Sequence, residues 1–147
     1  MDIRPVFSKA SIPDVVGLMC AVLMLIAFFL VPWYNIFGIN YVGPGEFAQF
    51  EGVGMYLIPI AAIGAGAIAL QNLLARRSKR ARNGGYFLAG LVGLAYYGMF
   101  LVRNHDNAFD RTQFMGVGFW LALAAAVGLI VQSVLFLGAA KTEAREE

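Results

Sequence analysis

Few residues in this 147-residue chain have the types and spacing that chemistry needs. The single histidine, His105, stands beside Asp106, with Asp110 four residues further on. One imidazole and two carboxylates begin a divalent-cation site, but without Glu46 or Glu51 from another segment they fall short of a defined zinc site, so no metal is expected. A lone histidine gives no bis-histidine haem ligation either. Cys20 is the only cysteine; it allows no internal disulfide and sits in an apolar run, where a thiol behaves as a small hydrophobe. The sequence contains no Gly-x-Ser-x-Gly, His-Glu-x-x-His or phosphate-loop pattern. No ionisable side chain stands in the middle of an apolar block, the place where proton relays and coupled transporters keep one. The expectation is a chain with no catalytic residue, cofactor or metal: not an enzyme.

The elements that would position any chemistry are apolar. Hydrophobic residues make up 60% of the chain and charged residues 14%, against about 25% charged in soluble domains. A bilayer core of roughly 30 Å needs about 20 apolar residues as helix. Four blocks meet this, at about residues 13–31, 52–75, 84–102 and 114–140. Lipid offers no partner to a free N–H or C=O, so blocks of this length close their hydrogen bonds as α-helices. The predicted fold is all-α membrane, one domain over residues 1–147: a four-transmembrane-helix bundle. The first block follows Arg4 and Lys9 as a secretory signal would, yet it is longer than an h-region and no small-x-small site follows Val31, so it reads as a retained span. Ser11 and Asp14, with Pro13 between them, read as its N-cap and first turn. Pro59 inside the second block predicts a kink near Met55 to Pro59.

Lys and Arg fall unevenly between the connections. Arg4, Lys9, Arg76, Arg77, Lys79, Arg80, Arg82, Lys141 and Arg145 lie on one side and Arg103 and Arg111 on the other, nine against two. The positive-inside rule then puts both termini and the 76–83 connection in the cytoplasm. There Arg76, Arg77, Lys79, Arg80 and Arg82 meet anionic lipid headgroups. No aromatic interleaving accompanies the basic run, so nucleic acid is not expected as a partner.

Hydrophobic burial does little between helices in lipid, so close packing of small residues must hold them together. Ala61, Ala65 and Ala69 form one strip at i, i+4, i+8; Gly85, Ala89 and Gly93 form another, continued by Tyr97; Gly118, Ala122 and Ala126 form a third. Which strip meets which is not readable. Gln71, Asn72, Gln132 and Ser133 lie toward the cytoplasmic ends, placed to hydrogen-bond across helices or to reach the headgroups.

In the first outer connection, Trp33 and Tyr34 read as interfacial anchors, as does Trp120 at the start of the fourth block. The stretch from Tyr34 to Val42 is rich in β-branched and aromatic residues, carries Gly38 at its middle and is closed by Gly43-Pro44-Gly45, which predicts a short outer β-hairpin between helices 1 and 2. Ile36, Phe37, Ile39 and Tyr41 are its contact candidates. After Pro44, the segment from Glu46 to Phe50 reads as an early start of the second helix, and Thr112 as the N-cap of the fourth.

Leu30-Val31-Pro32-Trp33, Ile36-Phe37-Gly38-Ile39 and Gly116-x-Gly118-Phe119-Trp120-Leu121 resemble the small bacterial four-span membrane proteins of unassigned function, whose topology is similar to that of claudins, with a β-structured first outer loop. The resemblance covers nearly the whole chain and implies a fold but no site residue. The paired outer cysteines of true claudins are missing, so no tight-junction role is implied. The functional expectation is a non-catalytic integral membrane protein of the bacterial plasma (inner) membrane that acts by contact. Its partners are membrane lipids and either other subunits of a larger assembly or further copies of itself. Two rivals stay open: a passive pore or transporter between protomers, lined by carbonyls freed at Pro59, and a lipid- or quinone-handling protein, suggested by Tyr86, Tyr96, Tyr97 and Phe100.

Overall fold

The computed structural model describes residues 12–42, 53–75, 79–105 and 111–143. Four long helices carry the fold: α1 (Ile12–Phe29), α2 (Leu57–Ala75), α3 (Lys79–His105) and α4 (Val117–Glu143). Between α1 and α2 lies a two-stranded antiparallel hairpin, β1 (Tyr34–Ile36) and β2 (Ile39–Tyr41). Short 3-10 turns, Val53–Tyr56 and Arg111–Phe114, precede α2 and α4. All four helices are long and apolar enough to cross a membrane.

Each helix packs on two others, α1 and α3 both against α2 and α4, so the bundle is a ring with α1 diagonal to α3. Neighbours run antiparallel. Cys20 of α1 lies beside Gly128 of α4 and Ala27 beside Gly118, while Ile68 of α2 lies beside Gly85 of α3 and Gly54, in the turn before α2, beside Met99.

The small-residue strips all face inward, and the structure supplies the pairing that spacing alone leaves open. Ala61, Ala65, Ala69, Ala89, Ala122 and Ala126 are buried. At Gly93 three strips converge: a Cβ there would sit 3.3 Å from Ala126 Cβ and 3.7 Å from Ala61 Cβ, with Met24 Cε of α1 at 3.2 Å. Gly90 brings α3 against the α4 backbone, 3.0 Å separating a Cβ from the Ala126 carbonyl. Large aliphatic side chains mostly point the other way: Met19, Leu30, Ile60, Ile63, Leu88 and Leu135 are all exposed.

Several expectations are corrected. Pro59 does not stand in the interior of an α-helix. The 3-10 turn ends at Tyr56 and α2 begins at Leu57, which puts Pro59 in the first helical turn, where the missing N–H is an orphan donor in any case. Thr112 does not cap the last helix, because it lies in the preceding 3-10 turn; Gly118 N donates instead to the Pro32 carbonyl across the bundle end, 2.9 Å. His105 closes α3 rather than lying in a loop, while Asp106 and Asp110 fall outside the described residues. The Gly43-Pro44-Gly45 closure, the segment Glu46 to Phe50, Glu51, Ser11, Arg76 and Arg77 also lie outside them. Lys79, Arg80 and Arg82 fall in the first turns of α3.

Glycine positions separate into two sets with opposite predicted behaviour. At Gly118 a Cβ would come within 2.7 Å of the Ala27 carbonyl and 2.8 Å of that of Val31, backbone that cannot step aside. Gly118→Ala is expected to cost about 1–3 kcal/mol through overpacking. Gly64 and Gly98 meet nothing within 4 Å, so Gly64→Ala and Gly98→Ala should stabilise by about 0.5–1 kcal/mol through helix propensity. Unfolding midpoints of the three purified variants, measured in one detergent, check both signs.

Candidate functional site

The hairpin end of the bundle is built around Trp33. Its position two residues beyond the first apolar block suggests an outward-facing anchor, but Trp33 is 2% exposed and Tyr34 is buried beside it, so neither is a surface residue. The reason is hydrogen bonding at the end of α1. The last carbonyls of a helix have no partner within it, and the Trp33 indole Nε1 donates to one of these, Ala27 O, at 2.6 Å. Turning the indole outward would orphan both groups. The ring also meets Phe28, Tyr96 and Phe119 edge-on, with centroids 5.5, 5.9 and 5.7 Å away, and each such pair is worth about 0.5–1.5 kcal/mol beyond area burial. Tyr97 closes the cluster, its hydroxyl donating to Phe119 O at 3.1 Å. Trp120, 51% exposed, is the anchor candidate that does face outward.

The same residue positions the hairpin. Trp33 N donates to Tyr41 O at 3.0 Å, and Trp33 O accepts from Gly116 N at 2.6 Å. An isolated bridge pairs Tyr34 with Met115, so β1 is flanked on one side by β2 and on the other by the chain entering α4. A Cβ at Gly116 would collide with the Pro32 carbonyl, which explains a glycine in the approach to α4.

Within the hairpin, Tyr34 faces Tyr41, Asn35 faces Asn40 and Ile36 faces Ile39. Directly opposed residues share a face, so Tyr34, Ile36, Ile39 and Tyr41 form an apolar side and Asn35 and Asn40 a polar one. Asn35 Nδ2 donates to Asn40 Oδ1 at 3.0 Å, and Gly38 N donates to Asn35 Oδ1 at 3.1 Å. The two turn residues have positive φ, +52° at Phe37 and +83° at Gly38, as a type I′ turn demands. Glycine meets that demand without strain, whereas a side chain in the left-handed region costs about 1–2 kcal/mol. Of the four contact candidates, Ile36 and Tyr41 pack on the core, while Phe37 and Ile39 stand clear at 92% and 59% exposure.

The far end holds a polar layer. Asp14, read from sequence as a first-turn residue, is 2% exposed and turned into the bundle. Tyr86 reaches across the diagonal from α3 and donates to Asp14 Oδ1 at 2.8 Å, and Asn72 Nδ2 of α2 donates to the same oxygen at 3.3 Å. Gly17 makes room for the crossing, since a Cβ there would lie 2.6 Å from Tyr86 Cε1. On α4, Gln132 and Ser133 are buried near this level; Ser133 Oγ donates to Ile130 O at 2.7 Å, and the Gln132 amide has no hydrogen-bond partner among the described residues. Gln71, by contrast, is exposed. The depth of Asp14 was missed because a polar residue in a first turn ordinarily caps or faces solvent; the available signal was Gly17, three residues on and on the same face. Of the aromatic residues considered for a bound lipid or quinone, Tyr86, Tyr96, Tyr97 and Phe100 are all buried in side-chain packing. No group of three or more metal-ligating side chains occurs among the described residues.

Removing the Trp33 ring should unfasten the hairpin end: Trp33→Ala is expected to cost about 3–5 kcal/mol, and Trp33→Phe, which keeps most of the ring area but strands the Ala27 carbonyl, about 1–3 kcal/mol. Denaturant titration of the two variants separates packing from hydrogen bonding. Tyr86→Phe, keeping the ring over Gly17 and withdrawing one donor from a buried carboxyl, should likewise cost about 1–3 kcal/mol; an unchanged midpoint would show that the bond across the bundle contributes nothing. Compared with known proteins, the chain matches no protein-family model, no curated protein and no solved structure, so the use of this end of the molecule has to be read from its own geometry.

Proposed function

We propose that the chain is a non-catalytic integral membrane protein that acts by contact, as an accessory or structural subunit of a larger membrane assembly or as a claudin-like homo-oligomer. The observation that carries the membrane half is the inverted distribution of side chains. Alanine makes up much of the core where the helices approach one another, many large aliphatic side chains face outward, and at most 39% of any of the four apolar windows is buried. Soluble monomers rarely leave contiguous apolar patches larger than a few hundred Å² uncovered; lipid, as apolar as leucine itself, covers such a surface at no cost. The uneven Lys and Arg placement favours cytoplasmic termini with the hairpin outside; the bacterial plasma membrane is part of the proposal and rests on the resemblance alone.

The contact half rests on what the interior leaves over. Tyr86, Met24, Ile58 and Leu129 are fully buried in the middle of the ring, so a path through one protomer would have to displace them, and this disfavours the pore reading within a single chain. The remaining surfaces are the side faces of the helices, including Ile60 and Ile63 of α2 and Leu88 and Leu101 of α3, and the polar face of the hairpin at Asn35 and Asn40.

Mild detergent extraction and mass determination test the contact reading. A defined complex larger than the 15.9 kDa chain is expected, and recovery solely as monomer would count decisively against it. Topology is tested by a reporter active only outside the cytoplasm: signal at Ala108 and silence at Ser78 are expected, and the reverse pattern would invert the orientation.

A further inference from the structure

We propose that the hairpin tip, Phe37 together with Ile39, is a lipid anchor that enters the headgroup–acyl boundary of the bilayer beside α4. The proposal rests on the membrane half of the reading above and is independent of its contact half.

Three observations converge. The apolar side of the hairpin, Tyr34, Ile36, Ile39 and Tyr41, is the side turned toward the bundle, and its burial falls from Tyr34 at the base to Ile39 near the tip. Strands of three residues are too short for their twist to exchange the two sides, so the side that faces the helix ends at the base would face the bilayer surface at the exposed tip. The tip also has a direction. Tyr34 is bridged to Met115 and the Phe37 ring lies 6.3 Å from that of Phe114, in the turn that leads into α4. Val117 and Trp120, on the first turn of α4, are exposed, so the tip continues the apolar outer surface of that helix. An exposed tryptophan at this level marks an interfacial belt.

The third observation is the residue type. Phe37 occupies a left-handed turn position that asparagine or glycine fills more easily, and although its ring meets that of Phe114 it is left 92% exposed. An uncharged aromatic ring is suited to the interface itself. Asn35 and Asn40 on the opposite side, paired with each other, keep the upper face polar. The hairpin is therefore amphipathic across its thickness, the arrangement by which a surface element lies in the plane of a membrane.

Spin labels at Phe37→Cys, Ile63→Cys and Asn40→Cys, each in a Cys20→Ala background and reconstituted in vesicles of phosphatidylcholine and phosphatidylglycerol, test this by relaxation with oxygen and with a water-soluble nickel chelate. Ile63 is exposed in mid-helix and reports on the membrane reading alone. The oxygen-to-nickel accessibility ratio is expected to be highest at 63 and, at 37, to exceed that at 40 by about threefold or more, as for an apolar group held below the headgroups. Nickel accessibility at 37 equal to that at 40, or protection at 37 from both reagents as in a protein contact, overturns the anchor while leaving the membrane reading intact if 63 favours oxygen. A site 63 that favours nickel overturns both. Because Cys20 touches Gly128, a second measurement keeps the native cysteine: Phe37→Trp with Trp120→Phe should gain quenching by brominated lipid relative to Trp120→Phe alone, whose remaining Trp33 is buried, and no gain overturns the anchor.

Discussion

Trp33 imposes the constraint on which the hairpin end depends. A helix that stops must find partners for its last carbonyls, and α1 stops at a point where one indole N–H serves Ala27 while the same residue's backbone binds both Tyr41 and Gly116. The end of α1, the hairpin and the distant approach to α4 are all tied to one residue. The consequence runs outward to the glycines: with the Pro32 and Trp33 backbone this close to α4, no side chain fits at 116, and at 118 the carbonyls of Ala27 and Val31 leave none either. Phe28, Tyr96 and Phe119 meet the indole edge-on and limit its rotation, and Tyr97 and Phe100 pack in turn on Phe119. Rigidity of the hairpin follows, since a pair of three-residue strands has little stability of its own.

At the far end the same problem, holding four helices without a hydrophobic driving force, has a polar solution. Asp14 lies six residues from Cys20 and Gln132 four residues beyond Gly128, the neighbour of Cys20. At about 1.5 Å of rise per residue the two are about 9 and 6 Å below one level, within a helical turn of each other. Each helix thus contributes a polar side chain to one layer, and Tyr86 spans it. A buried carboxyl is costly unless hydrogen-bonded, which makes the Tyr86 and Asn72 donors necessary wherever Asp14 is necessary. Such a layer also fixes register: sliding α1 by one turn would bring Asp14 among alanines and strand its donors, whereas the alanine strips by themselves tolerate such a slip.

This division explains which features could be read from sequence. Apolar length and small-residue spacing are one-dimensional properties, so the four helices were legible, as was the hairpin, whose Gly38 sits where a two-residue turn needs it. Features that depend on a distant partner were not. Nothing local distinguishes a tryptophan that anchors at a headgroup from one that turns inward to a helix carbonyl, and the difference at Trp33 is made by Gly116, more than eighty residues away. Asp14 is a similar case, for its partners come from two other helices. Pro59 misled for a different reason: apolar composition continues through residues 53–56, but the backbone there is a 3-10 turn, so the apolar block is longer than the helix and proline falls near a start rather than a middle.

The two ends place different limits on what the molecule can do. Gly90 and Gly93 in α3, with Ala61, Ala65 and Ala126, bring the helix backbones so close that the middle of the ring has room only for side chains such as Met24, Ile58 and Leu129. A close-packed interior resists continuous deformation, so movement of one helix against another would have to break either the polar layer or the Trp33 network as a unit. Side surfaces carry no comparable constraint, since leucine, isoleucine and valine exchange neighbours in lipid at little energetic difference. On the proposed contact reading, recognition of a neighbour would belong where directional groups are available. On the described surface near the hairpin these are the Asn35 and Asn40 amides, already mutually oriented by a hydrogen bond and held at fixed height by a base that cannot tilt without disrupting Trp33.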